Sequence, residues 1–224
     1  MSFFIFGAGN IAQIAYHYFA EDFNMVADAF VVDDQYAGDQ EFEQSTHSYP
    51  PITRLSDFER AVRPSSSVQV FVALSYRNLN QLRVERCQYL EAKGYALASY
   101  VSPRATILTR HSIGSNAFIF EGNTVQPFVK IGNYVTLWSG NHIGHHSTVE
   151  DGVFVSSHVV VSGNCLIRER SFLGVNSTLG DSVEVGREVV VGAGAVVTQD
   201  LADLSVVVPA RSKLLEKTSK EINL

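Results

Sequence analysis

The chain has 224 residues, of which 46% are hydrophobic and 18% are charged, and its formal net charge is −6. This balance is typical of a folded globular protein and argues against a disordered chain, while the lack of a Lys/Arg cluster argues against a nucleic-acid surface. No apolar run is long enough to span a membrane, and the first residues have neither the basic segment nor the cleavage site of a secretory signal. We therefore expect a cytoplasmic protein with no membrane and no nucleic-acid partner.

Residues 1–97 predict a small parallel α/β domain of Rossmann-like type. Short apolar strands alternate here with segments whose apolar residues recur at helical spacing. The predicted elements, in chain order, are a strand at 3–6, a helix that includes 11–19, a strand at 29–32, a short helix at 55–62, a strand at 68–73 and a helix at 79–93 that ends at Gly94. No linker rich in Gly, Ser or Pro follows, so we expect this domain to be held rigidly against the next one.

The turns after the predicted strands carry the candidate ligand-binding residues of this domain. In a parallel sheet the carboxyl ends of the strands meet at one edge, where a nucleotide would lie. The candidates are Gly7, Ala8, Gly9, Asn10, Asp33, Asp34, Ser75, Tyr76 and Arg77. The glycine turn would hold a phosphate at a helix N-terminus. The aspartates would hydrogen-bond a ribose or base, and the arginine would pair with a diphosphate. The alternatives are close packing of strand on helix for the glycines, solvated turn residues for the aspartates and ordinary packing for the tyrosine.

From residue 101 to residue 197, every sixth residue is Val, Ile or Leu. A period of six fits neither a helix nor one long strand. It fits short strands and corners repeated around a triangular prism, with each aliphatic side chain pointing to the axis. Three sides make a coil of 18 residues, so the stretch predicts about five coils of parallel β-helix. The aliphatic residues are Val101, Ile107, Ile113, Ile119, Val125, Ile131, Leu137, Ile143, Val149, Val155, Val161, Ile167, Leu173, Leu179, Val185, Val191 and Val197.

Glycine often follows the aliphatic residue, as at Gly114, Gly132, Gly144, Gly174, Gly180, Gly186 and Gly192. We expect these glycines to occupy corners that need a positive φ. The period ends at Val197, and an extended segment and a short polar C-terminal helix are expected to cap the last coil. The sequence thus predicts an α/β domain at 1–97, a β-helix domain at 98–208 and a C-terminal tail at 209–224.

Three of the seven histidines, His142, His145 and His146, lie within five residues of the regular repeat. His145 and His146 are the second and third residues after the inward-pointing Ile143, so they fall on the outside or a corner of the prism. The prism needs no histidine for its packing. Two chemistries compete for them. One is a general base that deprotonates an amine or hydroxyl attacking a thioester; the other is a zinc site like that of the γ-class carbonic anhydrases, which share this prism, with His158 as a third ligand. Without acidic partners nearby the sequence favours the base, and we expect no metal.

The chain resembles the two-domain bacterial sugar acyltransferases, the family that includes sialic-acid O-acetyltransferases and the N-acetyltransferases of nucleotide-linked 4-amino sugars. The segments that carry the resemblance are FIFGAGN at 4–10, YVSPRATI at 100–107, the hexapeptide repeat, VGAGAVVTQDL at 191–201 and VPARS at 208–212. The resemblance implies a left-handed β-helix, whereas the usual rule for crossovers would predict right-handed winding. It also implies a homotrimer, acetyl-CoA as cosubstrate and a role in surface polysaccharide (O-antigen) or glycan synthesis.

The resemblance also assigns roles to single residues. His145 matches the catalytic base, but His146 stands where the family commonly has an acidic residue. Gly163, one coil below, matches the backbone N–H that bonds the thioester oxygen. Many members have a second histidine near the acetyl group at the position of Phe154. The residues expected to contact acetyl-CoA are Phe154, Gly163, Gly180 and Ala193, and those expected to support the base are His146, His142 and Asn141.

These features predict an acetyl-CoA-dependent N-acetyltransferase that acts on a nucleotide-linked deoxyamino sugar, with His145 as general base. The pKa of a protonated sugar amine lies well below that of a hydroxyl, so a single histidine without an acidic partner suits an amine acceptor. O-acetylation of a sialic-acid-type sugar is the alternative. A zinc enzyme and a purely structural or binding protein are the further alternatives.

Overall fold

The computed structural model describes residues 1–37, 49–212 and Glu216. Its N-terminal part is a parallel sheet of five strands in the order β3-β2-β1-β4-β5, which confirms the predicted Rossmann-like domain. The elements are β1 (Ser2–Phe6), α1 (Asn10–Phe23), β2 (Ala29–Val32), a 3₁₀ turn (Asp34–Tyr36), β3 (Ile52–Arg54), α2 (Leu55–Ala61), β4 (Val68–Val72), α3 (Gln81–Ala92) and β5 (Ala96–Leu97). None of the helices in the described part of the chain combines the length and the hydrophobicity that crossing a membrane requires.

All three predicted strands and all three predicted helices of this part are present. Helix α3 begins at Gln81 rather than at Leu79 because Asn78, Leu79 and Asn80 have positive φ values of 51°, 48° and 64°. It ends as predicted, with Gly94 in a left-handed conformation at φ +88° directly after the last turn. The sequence does not predict β3 and β5, which have three and two residues and are too short to show a pattern of their own.

Residues 100–207 form a prism with three faces, each a parallel sheet of two-residue strands. Strands that stack on a face come from successive coils, as in the pairing of Thr136 with Phe154. The first face consists of β6 (Tyr100–Val101), β8 (Phe118–Ile119), β11 (Thr136–Leu137), β14 (Phe154–Val155), β17 (Phe172–Leu173), β20 (Val190–Val191) and β22 (Val206–Val207). The second face consists of β7 (Thr106–Ile107), β9 (Thr124–Val125), β12 (His142–Ile143), β15 (Val160–Val161), β18 (Thr178–Leu179) and β21 (Val196–Val197). The third face consists of β10 (Lys130–Ile131), β13 (Thr148–Val149), β16 (Leu166–Ile167) and β19 (Glu184–Val185).

The predicted aliphatic residues all lie in one hydrophobic core that fills the prism. Those from Ile119 onward are buried, while Val101, Ile107 and Ile113 are partly buried in the first coil. Burial of one such side chain contributes about 1.5–3 kcal/mol. Because this contribution recurs every six residues, the aliphatic column is the main source of the stability of the prism, and the interpretation of the repeat is confirmed.

The corners turn at a different position from the one expected. A positive φ recurs at every sixth residue from Asn116 to Gly194, the third residue after each aliphatic one, and most of these residues are not glycine. The glycines directly after the aliphatic residues serve close stacking instead. A Cβ on Gly144 would lie 2.5 Å from the carbonyl carbon of Ser162 in the next coil, and one on Gly186 would lie 2.5 Å from the nitrogen of Asp203.

The prism continues beyond Val197, where the period of six ends. Leu201 pairs with Val185 and Val206 pairs with Val190, so the last coil is two residues shorter than those above it. Residues 209–212, the described start of the expected C-terminal tail, are not helical. The helix expected further along lies outside the described residues.

The α/β domain packs on the first face of the prism through a buried aromatic cluster. The ring centroid of Tyr100 lies 5.5 Å from that of Phe19 in α1 and 5.6 Å from that of Phe118 in β8. Beside this cluster, the Tyr18 hydroxyl donates a hydrogen bond of 2.8 Å to Glu121. Burial and this hydrogen bond raise the pKa of Tyr18 to about 12. The expected tight apposition of the two domains is therefore found as a continuous core with polar contacts at its edge.

Asn116 joins the two domains by completing the sheet of the first one. Strand β5 pairs only with Gln69 and Val70, so Val72 extends past its end. Asn116 replaces the missing strand: its Oδ1 accepts from Val72 N at 2.7 Å and its Nδ2 donates to Val72 O at 3.1 Å. Asn116 is only 2% exposed and has φ +49°, a conformation that asparagine adopts more readily than most residues.

We expect Asn116→Leu to lower the free energy of unfolding by about 3–6 kcal/mol. The substitution leaves two buried backbone groups of Val72 without partners and places a branched side chain at positive φ. The matched control is Asn176→Leu, at an exposed corner with φ +56°, which loses only about 1–2 kcal/mol through the strained backbone. Chemical denaturation of both variants measures the difference, and equal losses would show that the contacts with Val72 contribute nothing.

Candidate active site

A pocket of about 640 Å³ opens at the carboxyl edge of the parallel sheet. Its walls come from the turn after β1, the end of β2 and the loop after β4. The predicted residues that line it are Gly7, Ala8, Gly9, Asn10, Asp33, Ser75, Tyr76 and Arg77. Tyr36 and Leu82 are among the other residues of its wall. The size and the position are those of a small-molecule site in a parallel α/β fold.

The turn after β1 contains two glycines, and the structure explains them in different physical terms. Gly7 has φ +116°, and a Cβ on it would lie 2.9 Å from the carbonyl oxygen of Ala73, so the backbone itself requires glycine there. A Cβ on Gly9 would meet nothing within 4 Å, so packing among the described residues does not require glycine at this position. Gly9 is also the N-cap of α1 and no side chain in the described structure caps the helix, which leaves its first N–H groups open to an anion.

The two aspartates after β2 have separate environments. Asp33 lines the pocket and forms an ion pair of 3.1 Å with Arg86 of α3. Asp34 does not line the pocket: its Oδ1 accepts a hydrogen bond of 3.0 Å from Ser56 N in the first turn of α2. This hydrogen bond lowers the pKa of Asp34. The expectation that Asp34 contacts a nucleotide is thus not supported by its position, because its carboxylate is used to cap α2.

Tyr76 connects the pocket to the first face of the prism. Its ring lies 5.0 Å from that of Phe154 and 5.0 Å from that of Phe172, centroid to centroid. On the buried side of Phe154, the guanidinium of Arg83 lies 5.7 Å from the ring centroid and donates to two backbone carbonyls. Burial lowers the pKa of Arg83 to about 10. Tyr76 therefore lines the pocket and also packs on the prism, and its contact with a nucleotide stays a prediction.

His145, Gly163 and Asp181 form a column on the corner between the second and third faces of the prism. A Cβ on Gly163 would lie 2.6 Å from Cε1 and 2.9 Å from Nε2 of His145, and 3.0 Å from Oδ1 of Asp181. The imidazole therefore rests directly on the backbone of Gly163, as the 18-residue offset predicts. The N–H of Gly163 has no hydrogen-bond acceptor among the described residues, whereas the equivalent N–H of Asn133 bonds to Oδ1 of Asp151 at 2.7 Å.

The exposed His145 is held by two neighbours. Its backbone N–H donates to Oε1 of Gln126 at 2.9 Å, and its Nδ1 lies 3.1 Å from Nδ1 of His146. Within the described part of the chain no carboxylate is hydrogen-bonded to either imidazole. The acidic neighbour expected from the resemblance is thus replaced by a second histidine.

The other polar candidates lie elsewhere on the prism. Asn141 is buried at the corner between the first and second faces, where its side-chain amide forms hydrogen bonds with the backbone. Its Oδ1 accepts from Val159 N and its Nδ2 donates to Trp138 O. Its predicted support of the base has no geometric basis, because both ends of the side chain are bonded to backbone. His142 lies in β12 on the outside of the second face, whereas His158 lies on the Asn141 corner, away from His145. The residues that the structure describes contain no group of three or more candidate ligands able to hold a metal ion.

Within one chain, the pocket and the histidine column lie on opposite sides of the prism. The pocket contacts the first face through Tyr76 and Phe154, whereas the column occupies the corner opposite that face. Gly180 shares the corner of the column, while Ala193 lies on the corner between the first and second faces. The predicted acetyl-CoA residues thus fall into two groups that one copy of the chain does not bring together.

Comparison with solved structures finds the same architecture over more than nine-tenths of the chain. A mutant of perosamine N-acetyltransferase from Caulobacter crescentus, in complex with CoA and GDP-perosamine, is 21% identical over 95% of this chain and 97% of that one, with a TM-score of 0.76. WeeI from Acinetobacter baumannii AYE is 21% identical over 93% of this chain and 97% of its own, with a TM-score of 0.78. The acetyltransferase domain of PglB from Neisseria gonorrhoeae FA1090, in complex with acetyl coenzyme A, is 22% identical over 92% of this chain and 94% of its own. Its TM-score is 0.57.

The chain has the two-domain, left-handed β-helix fold of this perosamine N-acetyltransferase. A family model described as a hexapeptide repeat of succinyl-transferase matches residues 166–199. Among curated protein sequences none matches significantly. The resemblance noted in the sequence is therefore confirmed at the level of the fold, including the handedness of the winding.

Several residues of the two sites escape sequence reasoning. Arg86 and Arg83 lie on one helix, but their partners come from β2 and from the prism, so no local pattern connects them. Tyr36 lies just beyond the predicted aspartates and would have been found by extending that segment by two residues. Asp181 stands 18 residues after Gly163, and the same stacking rule that relates Gly163 to His145 would have indicated it.

Proposed function

We propose that the chain is an acetyl-CoA-dependent N-acetyltransferase whose acceptor is the amino group of a nucleotide-linked deoxyamino sugar. The observation that carries the proposal is the column on the prism corner, where an exposed imidazole rests on a glycine whose N–H has no partner among the described residues. Support comes from the fold shared with a protein crystallised with CoA and GDP-perosamine. Acyl transfer is assigned to the expected domain at 98–208 and nucleotide binding to that at 1–97.

In the proposed reaction, Nε2 of His145 takes a proton from the acceptor amine as its nitrogen attacks the thioester carbonyl. The carbonyl oxygen gains negative charge, and the N–H of Gly163 donates to it, an effect typically worth roughly 3 kcal/mol. The carbon–sulfur bond then breaks, and the protonated His145 returns the proton to the leaving thiolate. The products are the acetamido sugar and CoA, so atoms and protons balance.

The pocket of the α/β domain would hold the nucleotide part of the acceptor. The open N-terminus of α1 and the side chain of Arg77 supply positive potential for a diphosphate. The missing side chain at Gly9 leaves room for the ligand to approach the backbone. Both substrates of such a reaction are cytoplasmic metabolites, and we place the reaction in that compartment, in surface polysaccharide or glycan synthesis.

We further propose that the active form is a homotrimer in which the pocket of one copy faces the histidine column of the next. The separation of pocket and column within one chain supports this arrangement, because no single copy joins them. The second face of the prism offers an apolar contact surface: Val160 and Val196 are 41% and 67% exposed, and Phe128 at its edge is 58% exposed. The α/β domain covers the first face as far as Phe154, and Val206 in the last strand of that face is 68% exposed. The third face carries the charged side chains of Lys130 and Glu184.

The deciding experiment measures thiol release from acetyl-CoA with a panel of acceptors. We expect turnover with at least one UDP-, dTDP- or GDP-linked amino sugar and none with the corresponding sugar that carries a hydroxyl in place of the amine. The absence of a carboxylate on His145 favours the amine, since an alcohol needs a stronger base. Turnover on free or CMP-linked sialic acid alone would replace the proposal by sugar O-acetylation. No turnover together with no binding of CoA would support a structural role.

A further inference from the structure

The contact between His145 and His146 fixes where their protons are. Two imidazole nitrogens 3.1 Å apart form a hydrogen bond only if one carries the hydrogen and the other presents a lone pair. The pair therefore holds one Nδ1–H and one bare Nδ1. Either histidine satisfies this contact as donor, but the two arrangements give different chemistry at the other nitrogen of His145.

Only one arrangement leaves His145 able to act as a base over Gly163. If His146 donates, His145 carries its hydrogen on Nε2, the ring nitrogen on the side of Gly163, and cannot accept a proton there. If His145 donates through Nδ1, its Nε2 is bare. After Nε2 takes a proton, Nδ1–H still has the lone pair of His146 to donate to, whereas the opposite arrangement would bring two N–H groups together.

We propose that His146 is a positioning residue that accepts the Nδ1–H of His145 and so keeps Nε2 of His145 free to take the substrate proton. The catalytic part of this inference rests on the proposed function, while the proton arrangement itself does not. His146 thereby fills the place of the acidic residue expected from the resemblance with a neutral acceptor.

The structure holds His146 in position for this role. Its backbone is in the left-handed corner conformation with φ +60°, and its N–H lies 3.3 Å from the carbonyl oxygen of Pro127. Its ring packs on Phe128, with centroids 4.6 Å apart and planes tilted by 31°. Gln126 holds the backbone N–H of His145, so the main chain that carries this second ring is also fixed.

The first test replaces His146 by Asn and by Gly, two residues that both suit the left-handed corner. Asn retains an oxygen acceptor near the position of Nδ1, whereas Gly has none. We expect His146→Gly to lower kcat about tenfold or more with KM for acetyl-CoA unchanged, and His146→Asn to stay within about threefold of the wild type. Equal losses in the two variants would overturn the proposal, as would full activity of His146→Gly.

The same substitutions at His158 provide the control for the fold. His158 has φ +58° and occupies the equivalent corner position on a different edge of the prism. Thermal unfolding of His158→Gly and His146→Gly should shift by similar amounts. A loss of kcat in His146→Gly that is accompanied by a much larger drop in melting temperature would identify His146 as a structural residue only.

The second test reads the proton arrangement directly and needs no substrate. In protein labelled with ¹⁵N-histidine, spectra recorded at alkaline pH, where the imidazoles are neutral, should show His145 with a protonated Nδ1 and a bare Nε2. The signals are assigned by comparison with His145→Asn. In His146→Gly the hydrogen should move to Nε2, the form that a free imidazole prefers. A protonated Nε2 on His145 in the wild type would overturn the inference even if the acetyltransferase activity is established, and the expected spectrum would support it even if the acceptor is another compound.

Discussion

His145→Ala is expected to lower kcat by about 10²–10⁴-fold, the usual loss when a general base is removed. The fold should survive, because the side chain is exposed and the hydrogen bond to Gln126 is made by the backbone. Thiol release measures the activity, and thermal unfolding measures the stability. Retention of more than about a tenth of the wild-type rate would move the base to His146 or His142. Stoichiometric zinc in the purified protein, with activity abolished by a chelator, would favour the metal alternative.

The same variant tests whether copies share a site. Gly9→Val should also be inactive, because its side chain would enter the nucleotide pocket without disturbing the backbone. The two variants are then co-expressed with different tags. A working site needs the intact pocket of a His145→Ala copy beside the intact column of a Gly9→Val copy, and random assembly gives this pairing in about a quarter of the sites. The unfractionated mixture should therefore regain about a quarter of the wild-type rate, and trimers purified through both tags about a third. A mixture as inactive as its parents, or a fully active monomer, would contradict the shared site.

Gly163→Ala is expected to cost about 10²-fold in kcat, the usual effect of moving a reacting group out of place by about 1 Å. The added Cβ would lie 2.6 Å from Cε1 of His145, so the imidazole must leave its place over the N–H. The backbone at Gly163 does not have a positive φ, and the clash involves the end of a flexible side chain, so stability should change little.

A double variant distinguishes this explanation from a general disturbance of the corner. In His145→Ala combined with Gly163→Ala there is no ring to displace, so the second substitution should add little to the loss caused by the first. Melting temperature and CoA affinity should remain those of the single variants. Losses that multiply in the double variant would show that the alanine acts on something other than His145.

The sequence predicts the prism well because its information is local and periodic. Each aliphatic residue has the same environment, so the repeat fixes the core, the coil length and the position of Gly163 under His145. The structure differs from the prediction where one coil contacts the next. Gly144 and Gly186 are explained by the close backbone of the neighbouring coil, and the short last coil is explained by the pairing of Leu201 with Val185.

The α/β domain shows the other limit of local reasoning. The loops that form the pocket follow from strand order, and eight of the nine residues expected there line it. Asp34 is the exception, because its partner Ser56 lies in a helix 22 residues away and its capping role is visible only in the fold. The pairs of β3 with β2 and of β5 with β4 are likewise non-local, since these short strands gain their structure from neighbours rather than from their own composition.

The buried junction between the two domains leaves no place for a hinge. Only Ala98 and Ser99 separate β5 from β6, and the N–H groups of Ala98 and Tyr100 are bonded to Val70 and Ala117, one on each domain. Enzymes that enclose a substrate by swinging one domain over another need a segment that absorbs the rotation. The junction of this chain has no such segment, so we expect the pocket of the α/β domain to keep the same opening when a ligand binds. In the proposed trimer, exclusion of water from the reacting atoms would fall to the bulk of the two substrates and to the adjoining copy. The binding energy of the proposed nucleotide would not be spent on rearranging the two domains.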